Sequence, residues 1–143
     1  MEFNYIGDGI DALVIDGLYT KEQLSEIMLE LKWLTKPSIM LPPEKLSSAT
    51  TATGQLLTSK KGVFLESVFA NWEHSALIRH PWEQLNREEV RKKILGYNSL
   101  FKILYHCDAR THLVSYYENS DYYKPHPDRT VFTVLNYFFN EPA

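Results

Sequence analysis

The sequence predicts an α+β fold with helices first and strands last. Three observations carry that reading: a helical repeat of apolar residues from Lys21 to Leu34, a mostly helical pattern between Trp72 and Leu104, and two stretches rich in Val, Thr, Tyr and Phe, Thr111 to Glu118 and Thr130 to Phe139. In order, "DALVIDGLYT", Asp11 to Thr20, reads as a short apolar strand and a turn. Thr20 with Gln23 three residues later forms a capping-box pattern. Leu24, Ile27, Met28, Leu31 and Leu34 then recur at helical spacing. Thr35 to Gly54 is rich in Pro, Ser and Thr and reads as a long irregular segment. Gly62 to Phe69 fits a strand or a helix entry. Asn86 with Glu89 offers a second capping pattern, Val90, Ile94 and Leu95 line one face, and Gly96 marks an end. "NSLFKILYH" reads as a further short helix.

The length of 143 residues suggests one domain, and 44% hydrophobic content supports a core. A net charge of −3 and a pI near 5.9 leave no basic surplus to neutralise phosphates, so no nucleic-acid partner is expected. No apolar run reaches the roughly 20 residues of a membrane span. The opening "MEFNYIGDGID" lacks the basic and apolar stretches of a secretory signal. The single cysteine, Cys107, suits a reducing compartment, and the expected location is cytoplasmic. Two strands do not make an independently stable sheet. The sequence ends at "FFNEPA", directly after an apolar stretch, so the expectation is the front part of a longer protein.

The stretch "YYKPHPDRT", Tyr122 to Thr130, holds His126 and Asp128 two apart. Three readings are open. Pro127 and Asp128 suit the middle of a type I turn. His-Pro-Asp is also the tripeptide by which J-domain proteins engage their chaperone partner, but here neither flank reads as a helix. On an extended backbone, residues two apart face the same side, roughly 7 Å apart. An imidazole and a carboxylate so placed can share one Fe(II), completed by a second histidine from a distant strand.

The flanks favour the last reading. Tyr116 to Pro142, "YYENSDYYKPHPDRTVFTVLNYFFNEP", resembles the iron-binding stretch of the prolyl 4-hydroxylase-like branch of 2-oxoglutarate/Fe(II)-dependent oxygenases. There, too, a tyrosine, a turn, a second tyrosine and His-X-Asp precede a hydrophobic strand. The resemblance implies helices packed on the first strands of a double-stranded β-helix, or jelly-roll, barrel, apparently truncated. Helical support would span about residues 1–110 and barrel strands about 111–143. It implies Fe(II) held by His126 and Asp128, with 2-oxoglutarate reached by Tyr117, or by Tyr116 if the turn has an extra residue. Tyr123 would pack beside the site. Tyr137, on one face with Val131, Thr133, Leu135 and Phe139, would point into the barrel. The implied activity is hydroxylation of a small-molecule or peptide substrate.

Two departures follow. The family turn carries glycine where this chain has Ser120. The second metal-binding histidine, and the basic residue that meets the far carboxylate of 2-oxoglutarate, are expected beyond Ala143. His74, His80, His106 and His112 do not substitute; His80 precedes Pro81 in a loop context. With two ligands only, weak iron binding and little turnover are expected from these residues alone. The segment "SSATTATGQLLTSKKG" reads as a solvated loop, with Lys60 and Lys61 meeting an acidic or peptide substrate as the alternative. Two rivals use different chemistry. One is a binding module whose exposed aromatic edge accepts a strand from a partner or a second copy in a homodimer. The other is a metal-free jelly-roll that binds sugar or peptide.

Overall fold

A computed structural model describes residues 1–9, 11–46, 49–126 and 130–139. Two antiparallel strand pairs bracket a helical layer, so the α+β class holds. Strands β1 (Glu2–Ile6) and β2 (Ala12–Asp16) form a hairpin, Glu2 opposite Asp16 and Ile6 opposite Ala12. Helix α1 (Lys21–Leu34) starts at the anticipated capping box. The Thr20 hydroxyl accepts from Gln23 N, and the Gln23 side chain accepts from Thr20 N at 3.0 Å. Ile27 and Leu34 on its apolar stripe are fully buried.

The segment after α1 carries one short turn, Pro43–Lys45, and an isolated bridge from Leu41 to Gly62. Strand β3 (Lys61–Phe64) runs directly into a 3₁₀ turn, Leu65–Ser67, so both readings of that stretch are partly realised. A second 3₁₀ turn, Trp72–His74, leads to helices α2 (Ala76–Asn86) and α3 (Glu88–Tyr97). The turn Ser99–Lys102 continues as α4 (Ile103–His106). Strand β4 (Leu113–Tyr116) returns antiparallel to β3, Gly62 opposite Ser115 and Val63 opposite Val114. Among the described residues no helix is long and apolar enough to cross a membrane.

Two apolar clusters hold these elements. Leu34, Met40, Val63, Leu65 and Ile78 join the end of α1 to β3 and the start of α2. Leu85, Val90, Ile94 and Phe101 join α2, α3 and the turn before α4, and are covered by Phe3, Tyr5, Leu13 and Ile15 of the hairpin. Helix α1 is also fastened to α2 by polar groups. The Glu30 carboxylate accepts from Ser75 Oγ at 2.6 Å and from Ala76 N at the first turn of α2, where the helix dipole favours an anion. His80, 4% exposed, lies between Glu26 at 2.7 Å and Glu83 at 3.2 Å.

Several expectations are corrected here. His80 is not in a loop: it and Pro81 lie inside α2, both buried. The bias of a residue before proline away from helix is local. Here the capped start at Ser75 and the Glu26 contact override it. Asn86 does not cap α3; Arg87 occupies that position without a side-chain bond, while Asn86 Nδ2 donates back to Trp82 O. Residues 1–110 are not only helical support, because three of the four strands fall there. Thr130 to Phe139 forms no strand over its described residues, and no closed barrel appears among the described residues. The physical reason is pairing. High β-propensity expresses fit to a neighbouring strand, and none lies beside this stretch among the described residues. It docks instead through alternate side chains. Phe132 meets Phe101 edge-on, the Tyr19 hydroxyl donates to Asn136 Oδ1 at 2.5 Å, and the Phe138 ring lies 6.1 Å from that of Tyr19. Burial raises the Tyr19 pKa above the ordinary tyrosine value. The other face, Val131, Leu135, Tyr137 and Phe139, is between 67% and 81% exposed.

Candidate functional site

Pairing of β3 with β4 does not stop at Tyr116. Ser59 N donates to Tyr122 O at 3.0 Å and Lys124 N to Leu57 O at 2.8 Å, with an isolated bridge between Thr58 and Tyr123. Residues 57–64 therefore face two stretches of one partner, 113–116 and 122–124, with 117–121 as a protruding turn between them. Side chains alternate across such a ribbon. Val63, Val114 and Tyr116 pack against the cluster around Leu34. Lys60, Ser115, Tyr117 and Tyr123 gather away from it.

The protruding turn is held by Asp121. Its Oδ2 accepts from Glu118 N at 2.8 Å and its Oδ1 from Ser59 Oγ at 2.8 Å. Those bonds, the Glu118 amide first, hold the Asp121 carboxyl below the ordinary aspartate value. Ser120 takes φ 74°, the left-handed region that favours glycine. Ser120 thus adopts a conformation that glycine would supply without strain. Ser120→Gly is expected to stabilise the chain by about 1 kcal/mol, from removal of the Cβ clash. Urea unfolding checks it; an unchanged or lowered midpoint refutes it.

Lys60 is 8% exposed. Its Nζ donates to Ser115 Oγ at 2.7 Å and lies 4.3 Å from the Tyr123 ring centre and 5.8 Å from that of Tyr117. The His126 ring stacks on Tyr123, centres 3.8 Å apart and planes 16° from parallel. His126 Nδ1 sits 2.9 Å from Lys124 O. A carbonyl oxygen only accepts, so Nδ1 carries the proton and, in the neutral ring, Nε2 carries the lone pair. A backbone carbonyl so placed fixes the ring orientation and tautomer of an imidazole. The Tyr117 hydroxyl has its pKa raised, first by burial and then by Tyr123, Tyr137 and Asp121 nearby.

Of the residues singled out from sequence, Tyr117, Tyr123 and His126 come together. Tyr137 is 73% exposed, with its ring stacked on Phe139, yet lies within electrostatic reach of Tyr117. Tyr116 belongs to the core side and lines a separate hollow of about 260 Å³ with Thr35, Pro37 and Lys61. Asp128 lies outside the described residues. Among the described residues, no three His, Cys, Asp or Glu side chains gather to hold a metal ion. The residues present fit one ligand position, His126, and a polar, cationic wall beside it.

The solvated-loop expectation is corrected at Lys60, which is buried, whereas the sequence did not separate it from Lys61. Lys61 carries the solvent-facing role, pairing with Glu118 at 2.7 Å. The signal available was alternation in "SKKG": on an extended stretch, adjacent lysines point to opposite faces. A second groove, about 540 Å³, lies between Trp72, Trp82 and Arg110 near the far end of β3, where His112 pairs with Glu66 at 2.7 Å.

Comparison of this chain with protein-family models, curated proteins and solved structures finds no match.

Proposed function

We propose that this chain carries the His-X-Asp side of an Fe(II)- and 2-oxoglutarate-dependent oxygenase site. In this reading the ribbon of β3 and β4 is the opening pair of a double-stranded β-helix, and the chain works in a reducing, cytoplasmic setting. The observation that supports it best is that His126, whose Nδ1 is fixed by the Lys124 carbonyl, comes together with Tyr123 and Tyr117. His126 and Asp128 would hold the metal, which when bound supplies the oxidising chemistry. Lys124 O fixes the ring of His126, Tyr123 backs it, and the protonated phenol of Tyr117 offers a hydrogen bond to a carboxylate. The substrate would be a small molecule or peptide.

A binding module is the second reading, favoured by one observation: Val131, Leu135, Tyr137 and Phe139 present an exposed apolar face. Anaerobic addition of Fe(II) and 2-oxoglutarate separates the two. The oxygenase reading expects a weak visible charge-transfer band that His126→Ala abolishes with the fold intact by circular dichroism. No band in the folded wild-type chain, or an equal band in the variant, leaves the module reading.

A further inference from the structure

The groove of about 540 Å³ lies at the end of the ribbon away from His126. Its size falls within the roughly 300–1,000 Å³ of small-ligand sites. Its walls are tied together. Leu65 N donates to His112 O at 2.9 Å, and Glu66 Oε1 accepts from His112 N at 2.8 Å and lies 2.7 Å from His112 Nδ1. Asp108, Arg110 and His112, alternate residues of the stretch that enters β4, all line the groove.

The Arg110 guanidinium is held in place by two contacts. Its Nε donates to Cys107 O at 3.1 Å, and its Cζ lies over the Trp82 ring, 3.9 Å from the centre. Neither contact uses its terminal N–H groups, which leaves a fixed planar fork of donors. The Asp108 carboxylate makes no hydrogen bond or ion pair among the described residues. Trp72 is 47% exposed, and among the described residues no ring or cation stacks on it. The groove therefore offers an open aromatic platform beside one uncommitted acceptor and one uncommitted donor group.

The charges decide the ligand class. An anion would meet Glu66 and Asp108, and a cation would meet Arg110. A hydroxyl both donates and accepts, so a neutral ligand rich in hydroxyls satisfies both signs side by side. To lie on Trp72 it also needs an apolar face whose C–H groups meet the negative π surface. A pyranose sugar has both. We propose that this groove is a carbohydrate-binding site, in which a pyranose ring stacks on Trp72 while its hydroxyls donate to Asp108 and accept from Arg110. The site is separate from His126 and stands independently of the oxygenase reading.

The test is saturation-transfer NMR on the full chain, with methyl disaccharides of glucose, galactose, mannose, xylose and N-acetylglucosamine at millimolar concentration. Phenylacetate and phenyltrimethylammonium serve as an aromatic anion and an aromatic cation. At least one sugar is expected to bind through its ring C–H groups, more tightly than either charged probe. Trp72→Ala should weaken that sugar about tenfold or more, as for loss of an aromatic platform. Arg110→Lys, which keeps the charge but loses the planar fork, should weaken it about threefold or more. Leu29→Ala, exposed on α1, should leave it unchanged. No transfer to any sugar overturns the proposal, and so does a charged probe that binds more tightly than every sugar. A sugar affinity that survives both Trp72→Ala and Arg110→Lys overturns it as well, as does an equal loss in Leu29→Ala. The wild-type panel decides without any variant. A Trp72→Ala chain that fails to fold leaves Arg110→Lys, at an exposed residue, to locate the sugar.

Discussion

Leu34→Ala is expected to lower the unfolding free energy by about 3–4 kcal/mol, at an unchanged denaturant slope. Leu34 is 0% exposed and closes the last turn of α1 against Met40, Val63, Leu65 and Ile78. Truncation removes the transfer term of three carbons and leaves a cavity whose walls belong to three different elements. A helix end, a strand and another helix do not collapse together onto one missing isopropyl group, so the cavity term stays near its upper range. For a domain of this size that is a large share of a total of about 5–15 kcal/mol. Leu29, on the same helix but 67% exposed, is the comparison: Leu29→Ala is expected to cost less than about 0.5 kcal/mol. Urea unfolding of the two variants checks the contrast. Similar losses at both sites would mean that α1 does not pack as described.

The N-terminal helix was legible because each of its signals is local. Thr20 and Gln23 specify its start by their own hydrogen bonds, and the apolar repeat specifies its buried face. His80 shows where local signals mislead. The proline after it argues against helix, and only Glu26, 54 residues earlier in the chain, explains why the imidazole is buried inside one. That contact leaves Glu26 with a pKa below the ordinary glutamate value, the His80 hydrogen bond first among its causes. The burial of Lys60 was illegible for the same reason. A lysine's burial depends on groups that tertiary structure brings to it, and Ser115 is 55 residues away. His126, Tyr123 and Tyr117 were legible because they lie within ten residues of one another, on the stretch that carries the resemblance. Thr130 to Phe139 was legible as an alternating stretch but not as an unpaired one, because composition reports what a segment suits and not whether a neighbour lies beside it.

Gly62→Ala is expected to disturb the fold and the candidate site together. Gly62 sits in β3 with Leu41 on one side and β4 on the other. A Cβ built there would lie 2.9 Å from Val114 O, 3.1 Å from Leu46 Cδ1 and 3.3 Å from Leu113 Cδ1. The leucine methyls can turn away. The carbonyl cannot, because it moves only if the β3–β4 ladder moves. The expected loss is about 1–3 kcal/mol, the usual range for forced overpacking. The displaced strand is the one that holds Lys60, and the residue opposite Gly62 is Ser115, so the 2.7 Å contact between them should lengthen. Gly96 supplies the opposite expectation from the same substitution. It lies exposed in α3 with nothing within 4 Å of an added Cβ, so Gly96→Ala should stabilise by about 0.5–1 kcal/mol through helix propensity. Urea midpoints for the pair decide it. A Gly62→Ala chain as stable as wild type would mean that β3 and β4 lie farther apart than the ladder requires. The common face of Lys60, Tyr117 and Tyr123 would then lose its geometric basis.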